Sequence, residues 1–223
     1  MKKFFFFVIC FLPIVTHGKN IVAAKPYVTG VTPTIVLDAG HGAGNLGAHI
    51  KSPYVVEKKL TLQTTLMTKK YLEQLGYKVV LTRSKDVFVP LTKRVEIANR
   101  TDAEVFVSIH FNSCHVSSIC GMEIFYSDST YHGKVAASKK LGQNILTQIL
   151  ANTHANSRGV KRSNFYVVRE TKMPAVLVEG GFMTNTQELT LLRSPQYLDR
   201  IAKGIAEGVD KFMRVQKRNF TLF

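Results

Sequence analysis

The sequence predicts an α/β domain in which helices cover both faces of a sheet. Short runs rich in β-branched and apolar residues alternate with longer segments of helical spacing along the chain. The connections between these segments are short, so we expect one domain over residues 34–215. The length of 223 residues and the 45% hydrophobic content are those of a globular protein.

The elements follow from periodicity and from stop signals. In the segment LTLQTTLMTKKYLEQL, apolar residues recur at helical spacing, and Gly76 ends the pattern. The same reasoning predicts four helices, at residues 60–75, 91–100, 135–151 and 197–215. Runs such as VFVSI predict strands, which we place at residues 34–37, 78–82, 104–109, 122–126, 164–168 and 175–178.

The two ends of the chain differ from the middle. Residues 1–18 combine Lys2 and Lys3 with an uncharged apolar run, which is typical of a secretory signal peptide. The run is shorter than the roughly 20 residues that a membrane-spanning helix needs, although an uncleaved anchor is the alternative. Residues 19–33 resemble a linker, and residues 216–223 form a predicted basic tail. We therefore expect a periplasmic or secreted protein with no membrane span after removal of the signal.

The charge indicates an anionic partner. The formal net charge is +15, and removal of Lys2 and Lys3 with the signal peptide would leave +13. Such a charge suits nucleic acid, an anionic membrane surface or an acidic cell-wall polymer. Export argues against nucleic acid, and the chain has neither zinc-finger spacing nor a basic motif interleaved with aromatic residues.

Two cysteines remain beyond the predicted signal peptide. Cys114 and Cys120 are separated by five residues. In an oxidising compartment they would be able to form a local disulfide, and two free thiols are the equal alternative.

Polar residues stand where predicted strands end, and three of them are of metal-ligating type. His41 follows the first strand between Gly40 and Gly42, His110 follows the strand VFVSI, and Glu57 precedes the first helix. Two imidazoles and one carboxylate suit zinc with an open position for water. Taken singly, each has a structural alternative, because a histidine after a strand can cap a turn and a glutamate can cap a helix.

Glu179 ends the apolar run AVLV and precedes two glycines. An unpaired buried carboxylate is costly, so a salt bridge is one interpretation. The other is a general base and acid that faces a water held by the metal.

Several motifs in order make the chain resemble the zinc-dependent N-acetylmuramoyl-L-alanine amidases of the Amidase_3 type, which cleave bacterial peptidoglycan. The resemblance covers residues 34–215. It rests on Glu57 and on IVLDAGHG, LTR, LTKRVEIAN, VFVSIHFNS, GMEIFY, RGVKRSNFYVV and PAVLVEGGFMTN.

The resemblance implies a six-stranded, mixed and mainly parallel sheet with helices on both sides. It implies one zinc ion per chain held by His41, Glu57 and His110, and Glu179 as the catalytic glutamate. The implied reaction is hydrolysis of the amide between N-acetylmuramic acid and L-alanine during cell-wall remodelling or division. A zinc carboxypeptidase acting on the stem peptide is the alternative.

Four further residues receive roles from their positions. We expect Asp38 to accept a hydrogen bond from the His41 ring, although a strand-end aspartate can simply cap the turn. We expect Asn112, Arg158 and Asn164 to line the substrate groove, with hydrogen bonds to loop backbone as the alternative.

The sequence also departs from the family pattern. Asn45 stands where the family often has aspartate, which keeps a turn-forming side chain and loses a charge. The family's division enzymes often carry a wall-targeting domain and an autoinhibitory segment, and residues 126–134 leave no room for the latter. We therefore expect an open groove, no requirement for an activator protein, and a monomer.

Overall fold

A single six-stranded sheet organises the chain, as the sequence predicts. The computed structural model describes residues 32–128, 131 and 133–220, and the side chains as far as residue 216. The predicted signal peptide and residues 19–31 of the predicted linker lie outside the described residues.

The strand order of the sheet is β4-β1-β5-β8-β6-β7. The first four strands in this order are parallel, β6 runs antiparallel to β8, and β7 is parallel to β6. The predicted mixed and mainly parallel sheet is therefore confirmed. The strands are β1 (Thr34–Ala39), β4 (Lys78–Leu81), β5 (Ala103–Asn112), β6 (Met122–Tyr126), β7 (Ser157–Arg162) and β8 (Ala175–Phe182), and a separate two-stranded ribbon joins β2 (His49–Ile50) to β3 (Val55–Val56).

Helices cover both faces of the sheet. The helices are α1 (Glu57–Gln74), α2 (Leu91–Asn99), α3 (Lys134–Thr153), α4 (Tyr166–Glu170), α5 (Thr186–Leu192) and α6 (Pro195–Phe220). Buried residues of α1, α3 and α6 form the larger core on one face, and those of α2 and α4 form a smaller core on the other. Helix α6 continues to Phe220, beyond the predicted helix end at residue 215.

The structure corrects one predicted strand. The prediction of a strand at residues 164–168 is wrong, because this segment leads into the short helix α4. Val167 and Val168 are buried in the smaller core. Valine side chains can be buried from a helix as well as from a strand, so their apolarity did not distinguish the two. The edge strand next to β6 is β7, at residues 157–162. Its sequence SRGVKR lacks the alternation of apolar and polar residues that marks a strand with one buried face, as an edge strand can.

Helices α3 and α6 approach each other closely at two glycines. A Cβ atom added to Gly208 would lie 2.3 Å from the Cα of Ile145, and one added to Gly204 would lie 2.5 Å from the Cα of Ile149. These glycines allow backbone-to-backbone packing, which no larger residue permits at this distance. None of the helices in the described part of the chain combines the length and the apolarity required to cross a bilayer.

Candidate metal centre

Three side chains converge at the carboxyl edge of the parallel strands. His41 lies in the loop after β1, His110 lies near the end of β5, and Glu57 is the first residue of α1. One ligand-type atom from each residue lies within 4.8 Å of the other two. Two imidazole nitrogens and a carboxylate oxygen at this spacing form a donor set that fits zinc with an open coordination position.

Glu57 lies between the two rings. Its Oε1 is 3.0 Å from Nε2 of His41 and 2.9 Å from Nδ1 of His110. Its Oε2 accepts a hydrogen bond of 2.8 Å from the backbone N–H of Ala48, which fixes the carboxylate in place. Burial alone would raise the pKa of Glu57, but the hydrogen bonds and charges of His110 and His41 lower it below its ordinary value.

The loop that carries His41 depends on small residues. A Cβ atom at Gly40 would lie 2.2 Å from the His110 ring, and one at Gly47 would lie 2.4 Å from Oε2 of Glu57. His41 itself has a φ of 62°, which is unusual for a residue with a side chain. The chain thus brings both rings against Glu57 by leaving no side chain at the adjacent positions.

Asn45, rather than Asp38, holds the His41 ring. Nδ1 of His41 lies 2.9 Å from Oδ1 of Asn45. An Nδ1–H that donates to this oxygen leaves Nε2, which lies 3.0 Å from Oε1 of Glu57, as the ring nitrogen available to a metal. Burial alone would lower the pKa of His41, whereas the hydrogen bond and charge of Glu57 raise it above its ordinary value.

The expected contact of Asp38 with the His41 ring is wrong, because buried donors occupy both carboxylate oxygens. Oδ1 accepts hydrogen bonds of 2.6 Å from Thr82 and from Arg94, and Oδ2 accepts one of 2.7 Å from Ser108. Arg94 also donates to the backbone carbonyl of His41 at 2.7 Å. Asp38 therefore acts on the loop of His41 through Arg94.

The electrostatics of Asp38 follow from this network. Burial alone would raise the pKa of Asp38, but the Arg94 guanidinium and the hydroxyls of Thr82 and Ser108 lower it below its ordinary value. The pair is almost fully buried, with side-chain exposures of 3% for Arg94 and 1% for Asp38.

Glu179 lies in β8 beside the ligand cluster. It is in register with His110 on the parallel neighbour β5 and with Glu123 on the antiparallel neighbour β6. Its side chain is buried, and its Oε2 has no hydrogen-bond partner among the described residues. Burial, followed by the charges of Glu57 and Glu123, raises the pKa of Glu179 well above its ordinary value.

Glu123 was not among the predicted site residues, yet its carboxylate accepts hydrogen bonds from two of them. Its Oε1 accepts a hydrogen bond of 2.8 Å from Asn112, and its Oε2 accepts one of 3.1 Å from Arg158. Asn164 stands apart from this pair, since its Oδ1 accepts a hydrogen bond from Arg169. The signal for Glu123 was its position as the one charged residue of the apolar motif GMEIFY.

The two cysteines are free thiols in the structure. Cys120 accepts a hydrogen bond from Asn156 at 3.4 Å, and the backbone N–H of Cys114 donates to Thr184.

A cavity of about 300 Å³ opens beside the ligand cluster. Both ring residues border it, and its outer wall carries Phe88 and Leu91, which are 58% and 55% exposed. The ligand cluster is therefore reachable by a substrate that also contacts apolar surface.

The fold and the site together define an α/β protein with a candidate metal centre. The family model described as N-acetylmuramoyl-L-alanine amidase matches residues 35–211. The chain therefore belongs to the N-acetylmuramoyl-L-alanine amidase family.

Similar proteins agree with this assignment. N-acetylmuramoyl-L-alanine amidase LytC of Bacillus subtilis is 38% identical over 82% of this chain, and the match spans 36% of LytC. The catalytic domain of the amidase CwlV from Bacillus (Paenibacillus) polymyxa has a TM-score of 0.76 and 38% identity, over 82% of this chain and 99% of that domain. The CwlD amidase of Clostridioides difficile, solved in complex with the GerS lipoprotein, has a TM-score of 0.76 and 32% identity, over 82% of this chain and all of CwlD.

Proposed function

We propose that this chain hydrolyses the amide bond between N-acetylmuramic acid and L-alanine in peptidoglycan, with one zinc ion as cofactor. The observation that carries the proposal is the His41, Glu57 and His110 cluster, with buried Glu179 in register beside it on the next strand. The identity of the bond proposed to be cleaved comes from membership of the amidase family.

His41, Glu57 and His110 would hold the zinc ion. Zinc bound there would polarise the scissile carbonyl and activate a water molecule for attack. Asn45 orients the His41 ring, and the Ala48 N–H orients the Glu57 carboxylate. Both contacts preorganise the ligands and so reduce the cost of assembling the site.

Glu179 is the proposed general base. It would accept a proton from the attacking water and later donate that proton to the leaving amine of L-alanine. Its burial and its two acidic neighbours favour a carboxylate that takes up a proton readily. Its buried Oε2 is without a hydrogen-bond partner in the described part of the chain, so no protein donor competes with the water for this accepting oxygen.

The surface beside Glu179 is the proposed place for the stem peptide of the substrate. Asn112 and Arg158 donate hydrogen bonds to Glu123, which is the strand neighbour of Glu179. We retain Asn164 as a more distant candidate for contact with the substrate. The connection between β6 and α3 spans only residues 127–133. We therefore propose a groove that needs no activator, in a monomeric enzyme that is exported to the periplasm or beyond it and acts in wall remodelling or division.

Mass spectrometry of digested muropeptides tests the proposal. Purified zinc-loaded protein should release intact stem peptides that begin with L-alanine, and a chelator should abolish the release until zinc is restored. Release of D-alanine alone would identify a carboxypeptidase instead. Activity that appears only after addition of a partner protein would contradict the ungated groove and leave the bond specificity standing.

A further inference from the structure

A buried carboxylate organises two cations next to the proposed base. Glu123 is 5% exposed, and its Oε2 accepts hydrogen bonds from both Arg158 and Lys161. Its Oε1 accepts the amide of Asn112. One carboxylate is thus shared by two cations, and neither cation has it to itself.

The Arg158 side chain is held by contacts with the protein but still has hydrogen-bond donors that are not in use. It uses only Nε for Glu123, at 3.1 Å, and its guanidinium lies over the Phe182 ring at 5.2 Å. Across the residues that the structure describes, its two terminal nitrogens make no hydrogen bond to the protein, and 33% of the side chain is exposed. Gly121 leaves room beneath it, since a Cβ there would lie 2.9 Å from the Arg158 Cγ.

The position of Arg158 sets which part of a substrate it can reach. Glu179 lies in β8 and Arg158 lies in β7, and β6 separates the two strands. The Arg158 side chain reaches back across β6, because its Nε donates to Glu123 of β6 and its guanidinium lies 5.2 Å from the ring of Phe182 in β8. A peptide extends by about 3.5 Å per residue, so a group bound by a guanidinium held this close to the strand of Glu179 belongs to one of the first two residues beyond the scissile amide.

We propose that Arg158 is a specificity-determining residue that binds a carboxylate of the stem peptide, namely that of the second residue, with Glu123 as the positioning residue that presents the guanidinium. This inference rests on the proposed function. The terminal nitrogens of an arginine match a carboxylate in a two-pronged geometry. Phe182 and Glu123 restrict the side chain beforehand, which reduces the entropy lost on binding.

Synthetic muramoyl-peptides that differ in one group test the inference. One substrate carries a free carboxylate on its second residue, D-glutamate, and the other carries the carboxamide. Zinc-loaded wild type, Arg158→Gln and Arg158→Lys are compared on both substrates. Arg162→Gln is the matched control, because Arg162 is on the same strand and its ion pair with Asp128 is at the surface, with exposures of 59% and 69%.

The expected result is a charge-specific effect on KM. Arg158→Gln should raise KM for the carboxylate substrate roughly 10- to 100-fold, as loss of charged hydrogen bonds predicts, with kcat within about twofold. The carboxamide substrate should already bind weakly to the wild type and change little in the variant. Arg158→Lys should recover part of the loss, and Arg162→Gln should resemble the wild type. An equal change on both substrates, with unaltered thermal unfolding, would overturn the inference.

Calorimetric binding of the free stem peptide separates the two proposals. If the zinc-loaded protein cleaves neither substrate, the proposed function fails, and the affinities of wild type and Arg158→Gln for the carboxylate and carboxamide peptides still decide the role of Arg158. If both substrates are cleaved with equal KM by every variant, the function stands and the inference fails.

Discussion

The imidazole Nδ1 of His41 lies 2.9 Å from the side-chain Oδ1 of Asn45, four residues further along the same loop. The same oxygen accepts the backbone N–H of Gly47 at 3.2 Å. One side chain therefore shapes the turn and selects the nitrogen of His41 that faces Glu57.

Removal of this acceptor should weaken metal binding. Asn45→Ala leaves the His41 ring without its partner, and loss of such a partner typically costs about 10- to 100-fold in metal affinity. Asn45→Asp keeps an oxygen at this position and should retain the affinity. Competition with a chromophoric chelator measures both, and wild-type affinity in Asn45→Ala would refute the orienting role.

Glu179→Gln should separate catalysis from metal binding. Loss of a general base typically lowers kcat by about 10²- to 10⁴-fold, whereas the three ligands remain in place. Zinc content by elemental analysis should stay at one per chain. Glu104→Gln makes the same chemical change at an exposed site on β5 and should leave kcat unaltered, while full activity in Glu179→Gln would overturn the assigned role.

Gly47→Ala should damage the ligand cluster directly. The new Cβ would lie 2.4 Å from Oε2 of Glu57 and 2.6 Å from the His41 ring, at a φ of 69°. Overpacking of this kind costs about 1–3 kcal/mol, so zinc affinity should fall by about tenfold or more. Gly44→Ala is the control, because a Cβ there meets no atom within 4 Å; equal zinc affinities in the two variants would contradict the packing argument.

Acid should destabilise the metal-free protein through Asp38. Its pKa is lowered in the folded state, so the ion pair contributes its full stability above the ordinary value of 3.8, and this contribution is lost as pH falls through the lowered pKa. Urea unfolding from pH 7 to pH 2 should show this decline. Asp38→Asn should be less stable at neutral pH by about 3–5 kcal/mol, because Arg94 is left unpaired, and its decline in acid should be shallower. An unchanged acid slope in this variant would refute the assignment.

Local pattern explains which residues could be named from sequence. His41, Glu57, His110 and Glu179 interrupt apolar runs or begin a helix, so their chemistry stands out without knowledge of their neighbours. Glu123 also interrupts an apolar run, MEIFY, but its contacts with Asn112 and Arg158 join parts of the chain that the sequence does not show to be close. Strand β7 was missed for a related reason, since an exposed edge strand carries no buried face to mark it.

The sequence by itself determined five of the six strands of the main sheet, the four longer helices and the residue types available for a metal site. The tertiary structure decided the partners. Asp38 and Asn45 are both near His41 in the chain, but β1 directs Asp38 toward Arg94 and Ser108, while the turn directs Asn45 toward the ring. Strand register likewise places Glu179 between His110 and Glu123. Such choices depend on φ angles and on pairing between distant strands, which residue identity alone does not specify.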